Sequence, residues 1–109
     1  MDLLRRNWFQ ILLALADKPA HGSAVARAVK AQTDGSITLW PATLYRTLDD
    51  LVEADLIREL TEDDHPEGAS AKRRYYRITA KGRETLRASA GKMAEWVAAA
   101  ERRLQDNTA

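Results

Sequence analysis

The chain has 109 residues, of which 45% are hydrophobic and 30% charged, and it contains no cysteine. This length fits one domain, and the composition is ordinary for a globular protein. The lack of cysteine excludes disulfides, thiolate nucleophiles and thiolate zinc sites, and no apolar run approaches the ~18 residues of a membrane span. The N-terminal residues lack an apolar core followed by a cleavage site, so we expect a cytoplasmic protein.

The net charge of +1 hides an uneven distribution along the chain. Between Lys72 and Arg87 there are seven basic residues and one acidic residue, so this segment carries +6 and the remainder carries −5. A basic patch on a near-neutral protein is typical of nucleic-acid binding. A solvated face of a helix and a strand would give the same charge pattern, so composition alone leaves both readings open.

Two helices are predicted in the first third of the chain. Residues 4–16 repeat apolar side chains at helical spacing: Leu4, Trp8, Ile11, Leu12 and Leu15. Further apolar residues widen this surface, which favours packing against two neighbours. Pro19 breaks the helix. A second helix is predicted from about Gly22 to Gln32, and Gly35 suits the left-handed conformation that ends many helices.

The middle of the chain predicts a third helix followed by a hairpin. Ser36–Trp40 is predicted to be a short extended strand, and Pro41 suits the first position of the third helix. Its buried stripe is expected to contain Leu44, Leu48, Leu51 and Val52. Two strands are predicted around a polar loop, at residues 56–61 and 73–79, with Tyr76 and Ile78 facing the core.

The predicted order is helix, helix, short strand, helix, strand, loop, strand and long helix. Three helices followed by a two-stranded hairpin indicate a mostly α, α+β winged helix-turn-helix, in which the third helix enters the major groove. The hairpin loop is then the wing. We expect residues 1–79 to form the DNA-binding domain and residues 80–109 to form a C-terminal dimerisation helix, joined in one compact unit.

The long C-terminal helix, predicted from Ala80 to about Gln105, repeats apolar residues at alternating spacings of four and three. These residues form a narrow seam: Leu86, Ala90, Met93, Val97, Ala100 and Leu104. Such spacing is typical of a coiled-coil contact and favours a partner chain. Leu4 and Trp8 of the first helix are expected to join this dimer interface. Packing of the seam on the first helix of the same chain is the alternative.

Two groups of residues are predicted to contact DNA. On the third helix, a wheel centred on Leu48 places four side chains outward or at the border: Thr43, Tyr45, Arg46 and Thr47. On the returning strand and just before it, the candidates are Lys72, Arg73, Arg74, Tyr75 and Arg77. Hydroxyls and cations of these kinds hold phosphates, and an arginine also reads guanine. The carboxylates of Asp49, Asp50 and Glu53 and the acidic wing tip limit contact to this patch.

Several motifs in this order resemble the PadR family, in the short subgroup with one C-terminal helix. The motifs are Ala20-His21-Gly22, Pro41-Ala42-Thr43-Leu44-Tyr45-Arg46-Thr47-Leu48, and Arg73-Arg74-Tyr75-Tyr76-Arg77-Ile78-Thr79-Ala80-Lys81-Gly82. The resemblance implies a homodimeric repressor whose two third helices address half-sites of an inverted-repeat operator in double-stranded DNA. Departures include Asp50, where a basic residue is common, and Ala54-Asp55, in place of a turn that usually contains glycine.

The sequence offers three alternatives to plain DNA binding: catalysis, protein–protein contact and effector binding. An enzyme is not expected, because the sequence has no nucleophile–base pair and no glycine-rich phosphate loop; His21 is interpreted as a cap or packing residue. We expect no cofactor and no metal. A winged helix used only for protein–protein contact is the alternative function. Trp8 and Trp96 are candidates to line a cavity for a small aromatic effector, with plain interface packing as the alternative.

Overall fold

The structure is a computed structural model that describes residues 4–70 and 72–105. Residues 1–3 of the predicted DNA-binding domain, Ala71 of the predicted wing loop and residues 106–109 of the predicted dimerisation segment lie outside the described residues. Four α-helices are formed: α1 (Arg6–Leu15), α2 (Gly22–Gln32), α3 (Pro41–Glu53) and α4 (Ala80–Gln105). Their positions confirm the four predicted helices.

Three short antiparallel strands form the sheet: β1 (Ala20–His21), β2 (Ile57–Glu59) and β3 (Tyr75–Ile78), in the order β1-β3-β2. The hairpin β2–β3 confirms the predicted two-stranded wing. The third strand, β1, was not predicted. The predicted strand at residues 36–40 is wrong, because that segment has no strand partner. The residues before α2 take the free edge of β3 instead, where Ala20 pairs with Tyr76.

One hydrophobic core joins the helices to the sheet. It contains apolar side chains of α1, α2, α3, β2 and β3, among them Ile11, Leu12, Leu15, Val25, Val29, Leu44, Leu48, Leu51, Ile57, Tyr76 and Ile78. Val52, which was expected in the buried stripe of α3, is 37% exposed. It lies at the border of that stripe, and α3 packs through the narrower row of three leucines.

Two backbone features position α4 behind the wing. Asp55 follows α3 with φ +64°, a left-handed conformation that aspartate tolerates better than most residues. The Thr79 hydroxyl donates to the Asp55 carbonyl oxygen (2.7 Å) and accepts from the Gly82 N–H (2.9 Å). Gly82 is buried, and a Cβ placed on it would overlap the Leu56 carbonyl oxygen. The start of α4 therefore depends on a close approach to the backbone before β2.

None of the helices within residues 4–70 and 72–105 combines the length and apolar character that a membrane span requires.

The close approach at Gly82 predicts a specific loss of stability. Gly82→Ala forces a side chain against backbone, so we expect the free energy of unfolding to fall by about 1–3 kcal/mol, the usual cost of overpacking. Gly91→Ala is the matched control, because no atom lies within 4 Å of its added Cβ. That variant should gain about 0.5–1 kcal/mol from helix propensity. Urea unfolding of both variants measures the difference; equal stabilities would contradict this packing.

Candidate DNA-binding surface

The first turns of α3 expose a cation beside an uncapped helix start. Trp40 is the N-cap residue, makes no side-chain cap and is 71% exposed. Arg46 is exposed, whereas Thr43 is half-buried. Sequence reasoning missed Trp40 as a surface feature. The available signal was a tryptophan directly before Pro41, where serine, threonine, aspartate or asparagine normally caps a helix.

The predicted outward orientation of Thr47 is wrong. Its side chain is buried, with 9% exposure, and its hydroxyl donates to the Thr43 carbonyl oxygen at 2.7 Å. Thr47 lies on the side of α3 that faces α1, where it lines a cleft together with Trp8. The helical wheel left this position outside the buried sector because the wheel contains no information about α1.

Tyr45 lies in a contact between α2, α3 and the wing. A Cβ placed on Gly22 would lie 2.6 Å from the Tyr45 hydroxyl oxygen, so the phenol occupies the space that glycine leaves free. On the wing side, the guanidinium carbon of Arg74 lies 5.5 Å from the centroid of the Tyr45 ring. Tyr45 is therefore half-buried and held at the border of α3, as its position in the sequence indicated.

Arg74 is committed to contacts within the chain. Its Nη2 atom pairs with Glu59 at 2.8 Å and with Asp49 at 3.1 Å. The same guanidinium lies 5.5 Å from the centroid of the buried Tyr76 ring. The side chains of Arg74 and Glu59 are more than 40% exposed, so solvent weakens these pairs. Their main consequence is electrostatic, because Arg74 offsets the carboxylate of Asp49 on α3.

His21 caps α2 and contacts the wing. Its Nδ1 accepts from the Ala24 N–H at 3.2 Å, which confirms the interpretation as a cap. Its Nε2 lies 2.6 Å from Nη1 of Arg73. A neutral imidazole has only one acceptor nitrogen, so only one of these two donors is satisfied at a time. Burial, followed by the charges of Arg73 and Arg27, lowers the pKa of His21.

Tyr75 is not the exposed aromatic that strand alternation predicted. It is 7% exposed. The His21 ring packs edge-on against it with centroids 5.5 Å apart, and the His65 ring lies 4.7 Å away. The alternation along β3 correctly placed Tyr75 on the face opposite Tyr76. That face is covered because the side chains of His21 in β1 and His65 in the wing loop pack on it, which no local pattern reveals.

The remaining cations of the wing base, which we define as residues 72–77, are exposed. Lys72, Arg73 and Arg77 are all accessible to solvent. Arg77 lies directly opposite Arg58 in the register of β2 and β3. Like charges opposite each other on a sheet are destabilising, so an anion on this face would relieve their repulsion. Sequence reasoning missed Arg58 because only the strand register pairs it with Arg77.

The seam predicted on α4 divides into two parts. Leu86 packs against the core, and the Leu4 N–H donates to the Oγ of the buried Ser89 at 3.4 Å. Met93 is half-buried in a cleft beside α1. The large seam side chains after it are open to solvent, with exposures of 56% for Val97 and 69% for Leu104, and the neighbouring Trp96, outside the seam, is 50% exposed. The beginning of the seam therefore packs on α1 of the same chain, and the later part is left unpaired within it.

One protein family matches most of the chain. The family described as the transcriptional regulator PadR-like family matches residues 11–88, most of the chain. The chain belongs to the PadR-like family. This confirms the resemblance in sequence, and a family of transcriptional regulators agrees with the expectation that the chain is not an enzyme. Among curated proteins, none matches the chain.

Solved structures support the same fold. A PadR-like transcriptional regulator from Bacillus cereus has a TM-score of 0.73 and 19% identity, covering 90% of each chain. A PadR family transcription regulator from Clostridium difficile has a TM-score of 0.66 and 22% identity, covering 93% of this chain and 97% of that one. A winged-helix DNA-binding protein from STIV has a TM-score of 0.65 and 17% identity, covering 84% and 91%. The PadR-like chain thus has the winged-helix fold.

The position of His21 in the PadR-like fold predicts a pH-dependent stability. Because its folded-state pKa is lowered from 6.5, the stabilisation is complete above that value and is lost as the pH falls through the folded-state pKa. We expect the free energy of unfolding to fall more steeply below about pH 6.5 in the native protein than in His21→Asn, which keeps a capping side chain without titrating. Urea unfolding across a pH series measures both slopes; parallel curves would contradict the expectation.

Proposed function

We propose that this PadR-like regulator binds double-stranded DNA as a homodimer and represses transcription from an inverted-repeat operator. The observation that carries the proposal is the exposure of Arg46 on α3 together with that of Lys72, Arg73 and Arg77 at the wing base. In residues 4–70 and 72–105, neither Arg46 nor Arg77 forms an ion pair. A helix that reads the major groove places its first turns at the bases, while nearby cations hold phosphates.

One of the three carboxylates on α3 is paired within the chain. Asp49 is held by Arg74 at 3.1 Å, so its repulsion of a phosphate is reduced. This assigns Arg74 a positioning role: it keeps Tyr45 and Asp49 in place and leaves phosphate contact to Lys72, Arg73 and Arg77. Thr43 and Tyr45 are the remaining contact candidates on α3, while the burial of Thr47 and Tyr75 makes them supporting residues.

The dimer part of the proposal is supported by the exposed end of the α4 seam. Large apolar side chains in register along one helix face are typical of helix–helix contacts between chains. The interface is proposed to use the later seam residues Met93, Val97, Ala100 and Leu104 with Ala90, whereas Leu4, Trp8 and Leu86 pack against the core of their own chain. Binding of a small aromatic effector near Trp8 and Trp96 stays a prediction. The apolar cleft of about 260 Å³ between α1 and α4 is lined by neither tryptophan, and Trp8 lies instead in the cleft between α1 and α3.

Substitution of Arg46 tests DNA reading. Arg46→Ala should weaken binding by about 1–3 kcal/mol per half-site, the loss expected for one arginine–guanine contact, and should relax sequence preference. Arg73→Gln with Arg77→Gln should instead lower the slope of log K against log salt by about 2 per protomer, and so by about 4 for the dimer, because each phosphate contact contributes about 0.9. Arg74→Gln should leave that slope unchanged, since Arg74 acts within the chain.

These affinities are measured by fluorescence anisotropy with duplexes that tile the region upstream of the protein's own gene. A random-sequence duplex reports non-specific binding. If the native protein shows no salt-dependent binding to any duplex, the DNA-binding proposal is wrong and the winged helix is a protein–protein module.

A charged substitution in the seam tests the dimer. Val97→Glu should raise the dimer dissociation constant about tenfold or more, because an unpaired carboxylate is costly to bury. Val97→Glu should also weaken operator binding, because two separate monomers bind the half-sites less tightly than one dimer that contacts both. Ala98→Glu introduces the same charge about 100° around the helix and should leave the dimer intact. Light scattering over a concentration series measures both variants; a Val97→Glu protein that stays dimeric would refute this interface.

A further inference from the structure

A second group of cations lies beside α3, on the side opposite the wing. The start of α1 and the exposed face of α3 enclose a polar cleft of about 410 Å³. It is lined by Arg5, Arg6, Asn7, Trp8, Thr43, Arg46, Thr47 and Asp50. Tyr45 and Asp49 contact the wing through Arg74, whereas Thr43, Arg46 and Asp50 face this cleft.

The charges around the cleft are unbalanced. Three guanidiniums and one carboxylate converge there, and in the described part of the chain none of them forms an ion pair. Arg5 lies over the Trp8 ring, with its guanidinium carbon 5.4 Å from the centroid, which orients it beside the cleft without neutralising it. Arg5 and Arg6 are both exposed. Since converging cations repel one another, an anion bound between them would be stabilised.

The chemistry of the lining fits a phosphodiester. Arginine presents a planar fork of donors that matches two oxygens of a phosphate. The amide of Asn7 and the hydroxyl of Thr43 add neutral donors of the kinds that hold DNA backbones. The single carboxylate, Asp50, would oppose an anion, and this makes its removal informative.

The position of the cleft beside α3 indicates that the phosphate belongs to a DNA backbone. The major groove is about 12 Å wide and admits one helix, so a helix in the groove has one sugar–phosphate backbone on each side. The wing base flanks α3 on the Tyr45 side. The cleft flanks α3 on the Thr43 side.

We propose that Arg5 and Arg6 hold a phosphate of the DNA strand opposite the strand held by the wing base. This rests on the proposed function. The start of α1 then joins α3 and the wing base as a third element of the DNA-binding surface. Arg46 lies between the two sites and can contact either a base edge or the phosphate in the cleft.

The test compares two variants that each remove two positive charges. Arg5→Gln with Arg6→Gln should lower the slope of log K against log salt by about 2, because one phosphate contact, worth about 0.9, is lost in each protomer of the dimer. Its affinity for operator and random duplexes should fall by the same factor, since phosphate contacts carry no sequence information. Lys30→Gln with Arg102→Gln removes two exposed cations away from the cleft and is the matched control, with an unchanged slope.

Asp50→Asn is an independent variant that should raise the affinity for DNA, whereas the arginine substitutions lower it. It removes the carboxylate from the cleft, so DNA binding should strengthen several-fold at low salt. Thermal unfolding of each variant confirms that all are folded. A titration with inorganic phosphate, followed by amide chemical shifts of residues 5–8, separates a free-anion site from a DNA-backbone site.

Three outcomes would overturn the inference. If Arg5→Gln with Arg6→Gln keeps the native salt slope while Arg46→Ala loses affinity, the cleft does not contact DNA and the proposed function stands. If that double variant keeps the slope and inorganic phosphate shifts residues 5–8, the cleft is a site for a free anion. If the native protein binds no duplex, the proposed function fails and the inference fails with it.

Discussion

Strand β3 lies between β1 and β2, and this pairing joins the wing to the helix-turn-helix. His21, the last residue of β1 and the cap of α2, pairs with Tyr75 of β3. On the opposite edge, Glu59 of β2 pairs with Tyr76, whose ring is fully buried in the core. Because one four-residue strand is tied to both sides, the wing base cannot move independently of the start of α2. The cations of the wing and the first turns of α3 are thereby kept in one surface.

The electrostatics of that surface follow from where each charge is held. Arg74 is surrounded by Asp49, Glu59 and two tyrosine rings, so it organises the junction and offsets carboxylates that would repel DNA. Within residues 4–70 and 72–105, Arg5, Arg6 and Arg46 beside the cleft and Arg77 on the wing form no ion pair. A net charge of +1 therefore coexists with cations on both sides of α3, a helix that itself carries one arginine and three carboxylates.

The first part of the long helix α4 packs against the rest of the chain, and the later part extends away from it. Gly82 fits against the backbone at Leu56, and Leu86 and Ser89 pack towards α1, which fixes the direction of the helix. The helix then continues away from the core, and the described chain reaches 60 Å in its longest dimension. The exposed apolar residues on the extension give the dimer proposal its physical basis, independent of how α3 reads DNA.

The sequence by itself determined the helices, the hairpin and the family, because these depend on local periodicity, on proline and glycine positions, and on motifs that survive in order. Pro41 predicted the start of α3, and the alternation at Tyr76 and Ile78 predicted the inward face of β3. Only the tertiary structure decided which polar residues are accessible. Thr47 is buried beside α1, Tyr75 is covered by two histidine rings, and Arg74 is engaged by distant carboxylates. The pairing of β1 and the cleft at Arg5 and Arg6 likewise join segments far apart in the chain. Such contacts depend on the packing of whole elements, which a pattern within one element does not contain.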